Sequence, residues 1–278
     1  MNPAAEKGQL FDRYEVVGFI EEGGVGAVYR VVHTELGSPH AMKVLHPGAC
    51  TAIQHALHRE GRIQANMNHR NIVRVTDLFR LQGTPVIVMD LVDGPALGDA
   101  VDGDPFDFDE AVWVFKELVR GVHHMHGRGV IHRDLKCENV LLSMESGRRV
   151  PKIIDFGFAV DADDHPSLSL LTDHYGIVGT PEYMAPEQIS NAAGVDHRAD
   201  LYSLGCIFYE MLTGFVPFEG DSPAEVLGEV MCGEYAPVSD RRPETPKPLC
   251  LAVDGLLRWD PSDRFQNCLD ILRALDCA

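Results

Sequence analysis

His132-Arg133-Asp134-Leu135-Lys136-Cys137-Glu138-Asn139 is followed, sixteen residues after Asn139, by Asp155-Phe156-Gly157. The two stretches set a proton acceptor (Asp134), a neutral oxygen donor (Asn139) and a carboxylate (Asp155) on two short loops at fixed separation. Chemistry on a phosphate chain calls for that set. One group receives a hydroxyl proton, and hard oxygen ligands hold a divalent cation against the phosphates. Either motif alone carries little weight; their order, with Ala185-Pro186-Glu187 downstream, carries much more.

Working outward, the three motifs together resemble those of the eukaryotic-type (Hanks-type) serine/threonine protein kinase family. The resemblance extends from about Tyr14 to Leu275. Gly23-Gly24-Val25-Gly26 and Ala199-Asp200-Leu201-Tyr202-Ser203-Leu204-Gly205 look most like the bacterial branch. The family implies an α+β, two-lobed protein-kinase-like fold, with a β-rich N-lobe holding one main helix, an α-rich C-lobe, and a cleft between them. The expected division is a tail at 1–13, an N-lobe at 14–90, a hinge at 91–94 and a C-lobe at 95–278.

The pattern of the chain gives the same division independently. Tyr14–Glu21, Val28–His33, His40–Leu45 and Pro85–Met89 are β-type runs broken by Gly and Pro. One helical stretch, 52–67, interrupts them. From Pro95 onward helical spacing dominates: 109–126, 199–213, 222–232, 248–257 and 267–275. The 199–213 segment is apolar on several faces and is expected to be buried.

Composition excludes more than it identifies. The 278 residues carry a net charge of −18, against a nucleic-acid surface, which needs basic stripes. Seven cysteines, an odd count without a C-x-x-C pair, argue against a disulfide framework or zinc knuckle and for a reducing, cytoplasmic setting. There is no signal-type apolar run at the N-terminus and no stretch of eighteen apolar residues, so no membrane segment is expected. His123-His124-x-His126 does not set three rings on one helix face and reads as helix-end polarity rather than a metal site.

Gly23-Gly24-Val25-Gly26 lies between two β-type segments; taken alone it reads first as a plain tight turn, and second as a hairpin whose glycines let backbone approach phosphates without Cβ collisions. No G-K-[ST] follows, so a Walker-type loop is excluded. Against the family's G-x-G-x-x-G-x-V, the first glycine is Glu21, a carboxylate facing a polyanion, and weaker ATP binding is expected. The resemblance implies a nucleotide site of Ile20, Glu21, Glu22, Gly23, Gly24, Val25, Gly26, Ala27, Val28, Ala41, Lys43, Met89, Asp90, Val92 and Leu141. Within it, Met89 guards the back of the adenine pocket, and backbone groups of Asp90 and Val92 bind the base. Lys43, oriented by Glu60, holds the α/β-phosphates. Asn139 and Asp155 ligate Mg²⁺, Asp134 orients the acceptor hydroxyl and takes its proton, and Lys136 contacts the transferring phosphate.

The same resemblance gives supporting roles. Asp200 would hydrogen-bond the backbone of the loop at 132–139, Arg264 would pair with Glu187, and His132 would pack with Phe156. Thr180 would contact Asp134, and Cys137 stands where a proline is common. Gln64 falls where the family places an apolar residue on Phe156, which loosens the expected hold on the active arrangement. Ser167, Ser169 and Thr172 are candidate phosphorylation sites read by Arg133. The expected activity is transfer of the ATP γ-phosphate to Ser/Thr hydroxyls of proteins, with autophosphorylation of the segment after Asp155. A transient homodimer through the small lobe is admitted by family analogy. Two alternatives stand beside it: a pseudokinase-like nucleotide-binding scaffold, supported by Glu21 and Gln64, and a small-molecule phosphotransferase, which the segment at 179–187 argues against.

Overall fold

The alternating runs before Asp90 form a six-stranded antiparallel sheet in the order β1-β2-β3-β4-β6-β5. Its strands are β1 (Leu10–Phe11), β2 (Tyr14–Glu22), β3 (Gly26–His33), β4 (Pro39–Leu45), β5 (Val75–Leu81) and β6 (Thr84–Asp90), with helix α1 (Thr51–Ala65) between β4 and β5. The computed structural model describes residues 5–156, 160–161, 180–190 and 194–276. These fall into two units. One holds the described residues up to Asp93 together with Asp155 and Phe156, and the other holds the remainder.

In the first unit, period-two alternation sends Val86 and Val88 of β6 to one face of the sheet, into a core with Phe11, Tyr14, Val16, Tyr29, Val31 and Met42. Burying one such side chain contributes about 1.5–3 kcal/mol. Ile87, of opposite parity, meets α1, whose Ile53, Leu57 and Ile63 are buried. Gly61 makes that contact possible: a Cβ there would stand 3.1 Å from both Ile87 Cγ1 and Leu78 Cδ1. The close approach fixes the rotation of α1 over the sheet. Strand β5 carries no assignment in the sequence reading, yet it pairs with β6 through a two-residue turn, Gln82-Gly83, with φ of +50° and +88°.

The second unit contains α2 (Leu97–Val101), α3 (Phe108–His126), β7 (Val130–Ile131), β8 (Val140–Glu145), β9 (Arg148–Ile153), β10 (Val160–Asp161), α4 (Pro186–Ser190), α5 (Arg198–Thr213), α6 (Pro223–Cys232), α7 (Val238–Arg241), α8 (Lys247–Leu256) and α9 (Cys268–Asp276). The five helices expected from spacing are α3, α5, α6, α8 and α9, with ends shifted by one residue at most. Helix α5 is buried over nearly its whole length, as its all-round apolar pattern requires. Phe208 stacks on Phe115 of α3 at 4.1 Å, and a Cβ on Gly205 would come within 2.7 Å of Leu256 Cβ on α8. Helices dominate after Pro95 as expected, and the β8–β9 hairpin, which has no assignment in the sequence, stands among them; its turn is Ser146-Gly147, both at positive φ. Gly94 opens this unit because its backbone lies against β8, where a Cβ would stand 1.8 Å from Leu142 O.

Candidate active site

In the first unit the glycine-rich segment is the turn between β2 and β3, closed by Gly23 N–H donating to Gly26 O at 2.8 Å. Its glycines do different things. Gly26 is required by packing, since a Cβ would stand 2.2 Å from Val44 O, whereas Gly24 has no neighbour within 4 Å of where a Cβ would sit. Glu21 and Glu22 are exposed, as are Ile20 and Val25, while Ala27 is buried and Val28 half-buried. Val28 pairs with Lys43, and Ala41 with Met89, across adjacent strands. Ala41 and Met89 are both buried. Asp90 commits its N–H to Arg74 O at 3.0 Å, so of its two backbone groups the N–H is already spent; Val92 is half-buried.

Three residues far apart in sequence meet in this unit. Lys43 Nζ on β4 donates to Glu60 Oε1 on α1 at 2.9 Å and lies 3.1 Å from Asp155 Oδ1. Asp155 holds a positive φ of +60°, uncommon for a residue with a Cβ. Burial works against the Lys43 charge, but the carboxylates of Glu60 and Asp155 overcome it and raise the lysine above its ordinary range. For Glu60 burial wins over the ammonium, and its carboxyl is pushed up to about 7. Two carboxylates face one ammonium, and Asp155 is 40% exposed, so the cluster presents a hard oxygen donor with negative charge to spare. Asp155 thus supplies one hard oxygen ligand of the kind a divalent cation takes alongside phosphate oxygens.

In the second unit Asp200 organises the loop at 132–139. Fully buried at the start of α5, it accepts from the N–H groups of His132 and Arg133, both at 2.9 Å, and from His126 Nε2 at 2.8 Å. Burial alone would raise its carboxyl, but the His126 hydrogen bond and the backbone donors hold it below the usual value. This is the backbone role expected for Asp200, and it gives His126 a place as a paired helix-end side chain. Arg133 adopts φ +67°, and Asp134 N–H donates to His132 Nδ1 at 3.3 Å.

Asn139 donates its amide to Asp134 O at 2.8 Å and to Asp134 Oδ2 at 3.2 Å; neither bond uses the Asn139 carbonyl oxygen. Lys136 Nζ donates to Thr180 Oγ1 at 2.7 Å. Leu141, half-buried, pairs with Ala96. Arg264 forks onto Glu187 at 2.6 and 2.7 Å, the pairing expected for it, and the neighbouring Gln188 donates to Arg133 O at 2.9 Å.

One carboxylate in this unit is absent from the sequence reading. Glu210 of α5 accepts from Tyr183 Oη at 2.6 Å and from Cys137 Sγ at 3.0 Å, and burial raises its carboxyl. Cys137 is thereby a buried hydrogen-bond donor whose thiol is driven up by burial and by Glu210, the opposite of a reactive cysteine. No sequence signal links positions 137, 183 and 210. Among the described residues no cluster of His, Cys, Asp or Glu is arranged to hold a metal by itself, the histidines at 123–126 included. No helix among them is long and apolar enough to cross a membrane. Ser167, Ser169, Thr172 and Gly157 lie outside the described residues.

A family model described as a protein kinase domain matches residues 14–274. Serine/threonine-protein kinase Pkn1 of Myxococcus xanthus is 36% identical over 269 residues, which is 95% of this chain and 38% of that protein. Serine/threonine-protein kinase pkn2 of the same organism is 34% identical over 97% of this chain and 33% of its own length. PknB of Mycobacterium leprae, also named a serine/threonine-protein kinase, is 33% identical over 94% of this chain and 42% of its own length. The chain thus spans between a third and somewhat over two fifths of these relatives.

Proposed function

The chain belongs to the protein kinase family, and we propose that it transfers the γ-phosphate of ATP to serine or threonine hydroxyls of protein substrates. The observation that carries this reading is the convergence of Lys43, Glu60 and Asp155 at 2.9 and 3.1 Å. Burying an ammonium between two carboxylates is a poor way to gain stability, because the desolvation cost rivals the attraction. It is a good way to hold a cation donor rigidly against phosphate oxygens.

Each residue then has a defined task. Lys43, kept charged by its two carboxylates, binds the α/β-phosphates, and Glu60 fixes its direction. Backbone of the β2–β3 turn covers the phosphates where Gly23 and Gly24 leave room, with Ile20, Glu21, Glu22, Val25, Gly26, Ala27 and Val28 around them. Ala41, Met89, Asp90, Val92 and Leu141 receive the base. Asp134, held by Asn139, orients the acceptor hydroxyl and takes its proton, and Lys136 steadies the transferring group. Asn139 and Asp155 would hold Mg²⁺, which when bound neutralises charge on the phosphates. Six free thiols among the described residues suit a reducing, cytoplasmic setting.

A nucleotide-binding scaffold with little turnover is the second reading. Glu21, an exposed carboxylate beside the glycine turn, favours it; the intact set Lys43, Glu60, Asp134, Asn139 and Asp155 weighs against it. The deciding experiment follows labelled phosphate from ATP·Mg²⁺ into a generic basic protein, comparing the wild type with Asp134→Asn. Incorporation lost in the variant supports the kinase. Nucleotide binding without incorporation in either protein supports the scaffold.

A further inference from the structure

Helix α1 has two faces with opposite duties. Glu60 turns inward to Lys43, and on the other side of the helix His55, His58 and Arg62 recur at spacings of three and four, forming one stripe. His55 and Arg62 are exposed and His58 is partly buried. Between Thr51 and Asn66 the one carboxylate is Glu60, and it is buried and spent on Lys43. Strand β5 extends the stripe. Leu78 faces α1 at Gly61, so Arg80, two residues along the strand, leaves the same face of the sheet. Asp77, of opposite parity, is spent on Arg13 and Tyr14.

Four basic side chains therefore share one surface without a compensating carboxylate. Burial and the charges of Arg80, Arg62 and His55 push the His58 imidazole below its ordinary value, as their proximity requires. Neither Arg62 nor Arg80 makes an ion pair among the described residues; Arg80 donates to Gly83 O at 2.7 Å. A cation in the last turn offsets the helix dipole, and that accounts for Arg62 alone. The arrangement is the reverse of the rest of the chain, which carries 42 Asp and Glu against 24 Lys and Arg.

We infer that the outer face of α1 and the adjoining end of β5 dock a phosphorylated serine or threonine segment of a protein that the kinase has modified. Guanidinium groups match phosphate oxygens in paired, charge-assisted hydrogen bonds, and a phosphate brings about two negative charges to a surface that lacks them. Arg62 and Arg80 receive the phosphate, with His55 and His58 beside it. The occupant rests on the proposed function, because phosphorylated peptide is the product of that reaction. The face lies across α1 from Glu60, so docking leaves the Lys43–Glu60 pair untouched.

The test uses the whole chain without nucleotide and three fluorescent peptides of one sequence, bearing phosphoserine, serine or glutamate at one position. Anisotropy should show the phosphoserine peptide binding at least about tenfold tighter than the serine peptide. In Arg62→Glu/Arg80→Glu that preference should vanish while the chain stays folded, its melting temperature lowered by a few degrees at most through the reversed charge in the last turn of α1, and phosphate transfer from ATP stays at the wild-type level. Arg62→Ala/Arg80→Ala, milder in its effect on folding, should weaken binding in the same direction. Equal binding of the phosphoserine and serine peptides, or affinity indifferent to both double variants, overturns the site. Equal binding of the glutamate and phosphoserine peptides overturns its phosphate selectivity. Phosphopeptide binding by a chain that transfers no phosphate would sink the kinase reading and leave this site standing.

Discussion

Lys43 and Glu60 meet at 2.9 Å across the interface between β4 and α1, with Glu60 only 4% exposed. The helix carries its glutamate to the strand because Gly61, the next residue, lets α1 settle onto Ile87 and Leu78. Packing of a glycine thus sets the geometry of an ion pair.

That pair has a pH signature. The Glu60 carboxyl is pushed up to about 7 from 4.5, chiefly by burial. Folding therefore favours its protonated form, and the stability this contributes is complete below about pH 4.5 and lost as pH rises through about 7. Activity should run the other way, since Lys43 stays charged and the ion pair forms as Glu60 ionises. We expect kcat to climb through about pH 7 while urea stability declines over pH 4.5–7. Glu60→Gln should flatten both profiles in that window and lower kcat by about 10- to 100-fold through misdirected Lys43. A wild-type rate independent of pH between 5 and 8 would contradict the assignment.

Gln64, one turn after Glu60, is fully buried and half satisfied. Its Nε2 donates to Val73 O at 2.9 Å, while Oε1 has no hydrogen-bond partner. Leaving a buried acceptor unmet costs about 1–3 kcal/mol. Gln64→Met removes that acceptor but orphans Val73 O, so the two effects offset, and stability should change by under about 1 kcal/mol. Gln64→Glu should behave differently. Protonated, it can still donate to Val73 O; ionised, it sets a buried charge against a carbonyl. Its stability should equal the wild type at low pH and fall steeply as pH rises, and thermal melts across pH 4–8 would show it. A pH-independent Gln64→Glu melt would mean that the site admits water.

Much of this was legible in the sequence, and the reasons differ by residue. Asp200 and the Arg264–Glu187 pair follow from motif position, because the family pattern fixes what each must meet: the backbone of the loop at 132–139 for Asp200, and Glu187 for Arg264. Strand β5 and the β8–β9 hairpin are not legible from pattern, although Gln82-Gly83 and Ser146-Gly147 are turns of a kind that two-residue hairpins demand. Runs such as Val140–Glu145 are too short and too mixed in polarity to outweigh the helical spacing around them. The Tyr183–Glu210–Cys137 cluster had no local signature at all, since it joins three segments through long-range packing. The basic stripe on α1 was present as letters, but its meaning depends on β5 delivering Arg80 beside it.

Arg264 offers the sharpest stability test. Its guanidinium is wholly buried, and its five N–H groups are matched: two to Glu187, and the others to the backbone oxygens of Arg198, Arg258 and Trp259. Taking away one member of a buried pair leaves the other charge without compensation, which costs about 3–5 kcal/mol. Glu187→Gln should therefore lower the melting temperature by roughly 10 °C, at about 2–4 °C per kcal/mol for a chain near this size. Arg264→Lys should do no better, because three donors cannot meet partners arranged for a planar fork. The exposed Arg273–Asp270 pair, with Arg273 at 75% exposure, supplies the control. Arg273→Ala should cost under about 1 kcal/mol. Because Gln188 holds Arg133 O, Glu187→Gln should also lower kcat at temperatures well below its melt. A Glu187→Gln protein melting within 2 °C of the wild type would show that the buried guanidinium is compensated by its backbone partners alone.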